Sequence, residues 1–460
     1  MHKVDKAQWD SFDLPPFQKN FYKEHPDVSS MTEDQVAELR ATLQVSVDGA
    51  DVPKPIARFD QASFPDYVMN QVVRDGFTAP TPIQAQSWPV AMAGRDCISV
   101  AETGSGKTLA FLLPAIVHIN SQPALRPGDG PIVLVLAPTR ELANQIQEVA
   151  TKYGRTSRLK NCVLYGGAPK GAQAGALRRG VDICIATPGR LIDFVDRGVV
   201  KLSLTRFLVL DEADRMLDMG FEPQIRQIVQ KRDMPPKSQR QTLMFSATFP
   251  GPIQKLAAEF MNQYVWIAVG RVGSSVESIQ QVIIQAPNDK RQKLMLAAQA
   301  MQTVEGRTLV FVQKKATADW VCRQLQREYG VKADSIHGDR NQSQREGVLA
   351  AFKSGKIMIM VATDVAARGL DIPEVRHVVN FDLPTSPEEF DSYVHRIGRT
   401  GRAGHTGKAT ALYVQGMDPK TGNGRIARQL LQMLQESSSE IPDWFINLPE
   451  LRGIAGGGGG

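Results

Sequence analysis

Two short runs carry groups suited to one reaction. Gly104-Ser105-Gly106-Lys107-Thr108 follows the apolar run CISVA, and Asp211-Glu212 follows FLVL. Glycines let backbone N–H groups point inward at phosphate oxygens, and the start of a following helix adds its dipole. In such a loop Lys107 would reach the β- and γ-phosphates of a nucleoside triphosphate, and the Thr108 hydroxyl would meet Mg²⁺. Asp211 could hold the same ion while Glu212 orients an attacking water. Each run has a plainer alternative when read singly: a Gly-rich turn for the first, a helix-capping acid pair for the second. Together, on one sheet, they point to hydrolysis of a bound nucleotide. The general phosphate-loop pattern begins with Gly, where this chain has Ala101.

The second half repeats no such loop, since Gly355-Lys356-Ile357 and Gly407-Lys408-Ala409 both lack the hydroxyl residue. It does hold a cationic run, His395-Arg396-Ile397-Gly398-Arg399-Thr400-Gly401-Arg402. Arg399 and Arg402 stand three apart, so on a helix they would share a face. That suits arginines that stabilise charge on a transferring phosphoryl group. A solvated basic surface is the alternative.

The elements that must position these groups are short β-rich runs alternating with helical stretches. CISVA, PIVLVLA, VDICIA, FLVLD and TLMFSA form one series; QVIIQ, TLVFVQ, IMIMVA, HVVNF and ATALYV form a second. Near-continuous Val/Ile/Leu strands separated by helices predict parallel sheets covered on both faces. The expected fold class is therefore α/β, with two domains in tandem. The expected divisions are an N-terminal extension at 1–58, a nucleotide-binding domain at 59–269, a hinge at 270–278, a second domain at 279–420 and a C-terminal extension at 421–460. The hinge is rich in Gly and Ser. In the extension, SSMTEDQVAELRATL reads as one capped amphipathic helix and VPKPIARF as an extended linker. The five glycines at 456–460 read as tail.

Ligands bind outside the carboxyl ends of the strands in open parallel sheets. Each apolar run here leads straight into conspicuous polar residues: ETGSGKT, PTREL, TPGR, DEAD and Thr248 in the first series, then Gln313, TDVAARGLD and Asp382 in the second. They are expected to form one continuous functional face.

Composition sets the bounds. The chain has 460 residues, 42% hydrophobic and 22% charged, with net charge +6. The first 58 residues hold seven Lys/Arg and ten Asp/Glu, so 47 of the 54 basic and 38 of the 48 acidic residues follow them. The basic surplus lies with the motifs and permits a polyanionic partner. Cys97, Cys162, Cys184 and Cys322 have no metal-ligand spacing and read as buried thiols. No apolar stretch is long enough to span a bilayer, and the N-terminus lacks the apolar region of a signal peptide. The expectation is an intracellular protein of nucleus or cytoplasm, with no membrane partner.

Assembled, these runs closely resemble the DEAD-box RNA helicases from about Phe59 to Gln415. Asp211-Glu212-Ala213-Asp214 is the name-giving box, and AETGSGKT, with Ala101 in first place, is that family's usual phosphate loop. Pro138-Thr139-Arg140-Glu141-Leu142, Gly166-Gly167 and Thr187-Pro188-Gly189-Arg190 match its RNA-contacting motifs. Ser246-Ala247-Thr248 matches its coupling motif, in which Asp214 also takes part. Gln313, Gln342–Arg345, Thr363–Asp371 and His395–Arg402 match its second-domain motifs. GFTAPTPIQ (Gly76–Gln84) is similar to its glutamine motif, where Gln84 would read the adenine edge beside Phe77, and Phe59 would pack on the base.

The resemblance implies two RecA-like domains that close when ATP and RNA bind. ATP would be held by Ala101, Glu102, Thr103, Gly104, Ser105, Gly106, Lys107 and Thr108, and met by Gly369 and Asp371. His395, Arg399 and Arg402 would complete the catalytic site. RNA would be bound through its backbone by Pro138, Thr139, Arg140, Glu141, Gly167, Thr187, Pro188, Gly189, Arg190, Gln313, Gln342, Arg345 and Thr363. Most of the contact groups are small, polar or cationic, which suits phosphates better than base edges. Duplexes would be separated locally, with little sequence specificity. FQKNFYKEHPDVSSMT and DRMLDMGFEPQIRQI are similar to a largely nuclear subgroup acting in ribosome biogenesis, mRNA processing and decay, which implies ribonucleoprotein partners. An ATP-dependent DNA helicase and an ATP-gated RNA clamp remain the alternatives.

Overall fold

The computed structural model describes residues 18–454 apart from 103, 127, 232, 271–278, 365–374, 402–405, 419 and 438. The hinge residues 271–278 and the glycines 456–460 thus lie outside the described residues. The chain divides into two compact units, Met1–Val272 and Gly273–Gly460.

In the first unit the strands are β1 (Val45–Asp48), β2 (Cys97–Val100), β3 (Val133–Leu136), β4 (Asn161–Leu164), β5 (Ile183–Ala186), β6 (Phe207–Leu210), β7 (Gln241–Ser246) and β8 (Val265–Val269). They lie in the order β1-β8-β2-β7-β6-β3-β5-β4. Every residue of β2, β3, β5, β6 and β7 is buried, as the unbroken apolar runs require. Alternate side chains feed opposite faces. Val133 and Val135 join Phe111, Leu112 and Ile146 from the helices Lys107–Asn120 and Arg140–Gly154. Leu134 and Leu136 join Leu191, Phe194, Ile228 and Leu256 from helices on the other side. Burying each such side chain contributes roughly 1.5–3 kcal/mol.

All pairings among β2–β8 are parallel. The exception in this sheet is β1, which runs antiparallel along β8 with Val45 opposite Val269. Its sequence, VSVD, carries no strong strand signal; the pairing is supplied by the exposed edge of β8. The preceding helix Glu33–Thr42 is opened by Thr32, whose hydroxyl accepts from Gln35 N while Gln35 Oε1 accepts from Thr32 N.

The second unit contains β9 (Ile279–Gln285), β10 (Arg307–Val312), β11 (Ala333–Ile336), β12 (Ile359–Thr363), β13 (Val375–Asn380) and β14 (Gly407–Tyr413). Their order is β11-β12-β10-β13-β14-β9, and all pairs are parallel. The segment after β14 packs back on this sheet: the Phe445 ring meets Tyr413 edge-on at 5.1 Å. All four cysteines are free and buried. No helix among the described residues is long and apolar enough to cross a membrane.

Candidate functional site

The loop after β2 is shaped by two glycines with positive φ, Gly104 at 86° and Gly106 at 94°. Gly106 caps the helix Lys107–Asn120 in a left-handed conformation. A Cβ there would stand 2.6 Å from Gln84 Nε2 and 2.8 Å from Thr81 Oγ1, so no larger residue fits this approach. Lys107 is buried, and its Nζ donates to the Ala101 carbonyl at 2.8 Å, so the ammonium is folded into the loop. Ser105 Oγ donates to the Glu102 carbonyl at 2.8 Å. Thr103 lies outside the described residues.

Gln84 is tied to this loop. Its Oε1 accepts from Thr81 N at 3.0 Å and its Nε2 donates to the Gly106 carbonyl at 3.0 Å. Thr81 Oγ1 is buried beside them without a hydrogen-bond partner among the described residues. Phe59 is half-buried with its ring 6.1 Å from that of Trp88, and Phe77 is exposed.

Asp211 ends β6 and is buried. Burial pushes its carboxyl up to about 7, opposed by the charge of Lys107 and reinforced by that of Glu212. The buried Asp211 carboxylate and the half-buried Thr108 hydroxyl, in the first turn of the helix Lys107–Asn120, are oxygen donors of the kind that suit Mg²⁺ held partly by substrate phosphates. Glu212 sits at φ 51° and ψ 53°, a left-handed conformation unusual for a residue with a side chain. Its carboxylate accepts from the Arg215 guanidinium, and both side chains are buried. Arg215 is a site residue that the motifs did not single out; its i,i+3 spacing from Glu212, which caps its helix, was the available signal.

Asp214 joins the acid box to the strand beside it. Its Oδ2 accepts from Ala247 N, Thr248 N and Thr248 Oγ1, each at 3.0 Å. Ser246 closes β7; its carbonyl accepts from Ala101 N at 3.0 Å, and its buried hydroxyl has no partner among the described residues.

At the β3–β5–β4 end of the sheet, Pro138 and Thr139 are buried, and Thr139 Oγ1 caps the next helix through Leu142 N at 3.3 Å. Arg140 and Glu141 are half-buried. The Arg140 guanidinium lies 5.9 Å from the Tyr165 ring centroid and against Gly167, where a Cβ would meet its Nη1 at 2.8 Å. Thr187 N donates to the Leu164 carbonyl at 2.9 Å, Pro188 is buried and Gly189 is exposed. Arg190, one of the expected RNA-backbone contacts, has its guanidinium engaged within the first unit. It is buried, with Nη1 donating to Gln173 Oε1 at 3.0 Å and to the Ala168 carbonyl at 3.3 Å, over the Phe194 ring. Here it braces the Gly166–Ala168 turn from behind.

In the second unit Gln313 is exposed, its N donating to Asp382 Oδ2 at 3.1 Å and its Nε2 to the Leu383 carbonyl at 2.9 Å. Lys293 Nζ holds the other Asp382 oxygen at 2.7 Å. Nothing local to either sequence signals that pair, 89 residues apart. Thr363 is buried at the end of β12, and Arg345 is half-buried. The next residue after Thr363, Asp364, takes a two-pronged ion pair from buried Arg396, with Nε to Oδ1 at 2.6 Å and Nη2 to Oδ2 at 2.5 Å.

The helix bearing His395 is Phe390–Ile397 and ends at Gly398. Arg399 therefore stands beyond its last turn. Arg399 is buried and His395 half-buried. Gly369, Asp371, Arg402 and the side chain of Gln342 lie outside the described residues.

Comparison with known proteins accords with this geometry. The chain matches the DEAD/DEAH box helicase family over residues 81–256 and the helicase conserved C-terminal domain over residues 289–404. ATP-dependent RNA helicase DBP2 of Chaetomium thermophilum is 48% identical over 99% of this chain and 80% of its own length. DBP2 of Pyricularia oryzae is 49% identical over 95% of this chain and 78% of its own. Among solved structures, the yeast DEAD-box splicing factor Prp28 is similar with a TM-score of 0.53 and 34% identity, covering 92% of this chain and 96% of that one. Dbp5 of S. cerevisiae, bound to RNA and ADP BeF3, is similar with a TM-score of 0.70 and 27% identity, covering 84% and 94%.

Proposed function

The chain belongs to the DEAD-box family and is an ATP-dependent RNA helicase built on two tandem RecA-like domains, and on that premise we propose which of its residues do the work. The backbone of Gly104–Lys107 cradles the phosphates, and Lys107 leaves the Ala101 carbonyl to neutralise the β- and γ-oxygens. Gln84 and Phe59 receive the adenine. Mg²⁺, when bound with ATP, supplies charge neutralisation at the phosphates, and the Thr108 hydroxyl and Asp211 carboxylate are the groups that fit it.

Glu212 accepts a hydrogen bond from the attacking water and orients it at the γ-phosphorus. As the water oxygen bonds to that phosphorus, the bond from phosphorus to the β–γ bridging oxygen breaks, and ADP, phosphate and the water's proton are released. From the second unit, Arg399 and Arg402 stabilise the charge on the moving phosphoryl group, His395 supports them, and Gly369 and Asp371 meet the nucleotide. RNA lies along the strand ends through Thr139, Arg140, Glu141, Gly167, Thr187 and Gly189, then Gln313, Gln342, Arg345 and Thr363. Pro138, Pro188 and buried Arg190 shape the loops behind it. ATP and RNA each favour the closed arrangement of the two domains, so each strengthens the binding of the other.

The observation that carries this reading is Asp214. One carboxylate oxygen gathers three hydrogen bonds from Ala247 and Thr248, tying the acid box to the coupling residues. The cellular setting we propose is RNA processing, ribosome biogenesis or mRNA decay, in nucleus or cytoplasm and among ribonucleoprotein partners. The test is the ATPase rate without nucleic acid, with RNA and with DNA, beside a strand-separation assay. Stimulation by RNA but not DNA, with separation of short duplexes, is expected. Equal stimulation by DNA makes it a DNA helicase; long-lived RNA retention with little separation makes it a clamp.

A further inference from the structure

At the amino end of edge strand β4, away from the end that carries Tyr165 and Gly167, two loops gather five cations. Arg155 and Arg158 follow the helix Arg140–Gly154, Lys160 leads into β4, and Arg178 and Arg179 end the helix Lys170–Arg178. All five are exposed. Among the described residues none forms an ion pair, whereas their neighbours Lys152 and Lys170 are neutralised by Asp75 and Asp193.

The loops are held rather than loose. The Lys160 carbonyl accepts from Asp182 N at 2.8 Å and Ile183 N at 3.2 Å, and Lys160 N donates to Asp182 Oδ2 at 2.7 Å. Asn120 Nδ2 donates to Ser157 Oγ at 2.9 Å. Arg158 keeps a guanidinium at φ 56° and ψ 27°, where glycine is conformationally cheaper by about 1 kcal/mol.

The cluster continues a line that starts at the candidate RNA face. Positions 140, 144, 147 and 151 form one stripe along the helix Arg140–Gly154, and Arg155 continues it in the turn that follows, over about 22 Å. The stripe begins and ends with arginine; between them stand Asn144, Gln147 and Thr151, neutral hydrogen-bonding side chains. Thr151 Oγ1 lies 3.0 Å from Asn161 Nδ2, so the stripe borders the start of β4. Glu148 is the one exposed carboxylate beside it.

We propose that this edge is a second RNA-binding track: a single strand held at Arg140 and Gly167 runs along the stripe, and its phosphates are neutralised by the five-cation cluster. The proposal rests on the reading of Arg140 and Gly167 as backbone contacts. RNA fits better than an acidic protein, because stripe and cluster hold no exposed large apolar side chain to form an interface core. Spread cations with amide and hydroxyl groups between them suit a sugar–phosphate backbone.

The test is RNA binding by anisotropy, in a non-hydrolysable ATP analogue, with single strands of about 8 and about 25 nucleotides, bracketing one binding-site length. The variant combines R155Q, R158Q, K160Q, R178Q and R179Q. It should match wild type on the short strand and lose about tenfold on the long one. Its salt slope on the long strand should fall by about 2–3, at roughly 0.7 for each phosphate released. ATPase on the short strand should be unchanged. Arg158→Gly alone guards against misfolding: it should melt no lower than wild type yet weaken long-strand binding. Unchanged long-strand affinity and slope, or an equal loss at both lengths, overturns the proposal. Arg140→Ala should weaken both lengths; if it weakens neither, the track has no origin and the proposal falls even where the combined variant binds poorly.

Discussion

Replacing Arg215 by Met puts the acid box under a measurable load. Arg215 and Glu212 are buried together, with side chains only 4% and 7% exposed. Met keeps the length of the side chain but removes the guanidinium, so the Glu212 carboxylate loses its charged donor inside the protein. Breaking one side of a buried pair costs about 3–5 kcal/mol. For a folding unit of this size, 1 kcal/mol moves the melting temperature by roughly 2–4 °C, so the first unit should melt roughly 6–20 °C lower. Adding Glu212→Gln to Arg215→Met removes the stranded charge, and the double variant should regain most of that loss. The coupling across the cycle should be about 2–3 kcal/mol. Thermal melts of the four proteins measure it, with ATPase in parallel. Arg215→Met should slow hydrolysis as well, because the carboxylate proposed to orient water is no longer held. A single variant within about 0.5 kcal/mol of wild type, or strictly additive effects, would show that the pair does not position Glu212.

Other outcomes follow from the same geometry. Lys107→Ala should abolish RNA-stimulated ATP hydrolysis; turnover at the wild-type rate would remove the loop from the site. Gln84→Ala cuts the bridge between Thr81 and Gly106, so it should raise KM for ATP and narrow the preference for ATP over other triphosphates, read by competition. Glu212→Gln should hydrolyse poorly yet keep RNA bound with ATP, and release as fast as wild type would count against closure. Asp96 is buried, and burial pushes its carboxyl up to about 6 despite backbone donors at Thr242 and Asn262. Between about pH 4 and 6 the folded state then holds a proton that the unfolded state has released, so stability falls as pH rises through that window. A rise of that size corresponds to about 3 kcal/mol, at roughly 1.4 kcal/mol for each pH unit. Urea melts of wild type and Asp96→Asn across that range should diverge accordingly, and parallel curves would refute the shift.

What the sequence made legible was whatever is encoded locally. The strands of both sheets follow from unbroken apolar runs, and the phosphate loop and acid box from fixed short spacings. Contacts between distant segments were not legible. Arg190 stands in a motif that reads as phosphate-binding, yet what its guanidinium meets depends on Gln173 and the Ala168 carbonyl, which only folding brings near. Arg396 reads as one cation in a basic run, but Asp364, 32 residues earlier, claims it. β1 is invisible for a related reason: a four-residue strand with two polar positions takes its pairing from the open edge of β8. Arg399 lies outside the helix of His395 because Gly398 ends it, a stop that the basic run did not announce.

Why the chemistry and the RNA contacts can act together in the first unit follows from one feature of its sheet. At the strand ends, backbone bonds run sideways from motif to motif. Ala101 N reaches the Ser246 carbonyl at 3.0 Å, Asp211 N the Leu136 carbonyl at 2.9 Å, Ala137 N the Ala186 carbonyl at 3.0 Å, and Thr187 N the Leu164 carbonyl at 2.9 Å. Asp214 adds its link to Ala247 and Thr248. Phosphate loop, acid box, coupling residues and RNA-side loops are thus rungs on one edge, backed by strands with no exposed residue. A densely packed sheet does not deform gradually. A change at the nucleotide therefore has little room to dissipate within the first unit. On the closure proposed above, hydrolysis and strand release are therefore expected to fail together when either the phosphate-loop or the RNA-side contacts are removed.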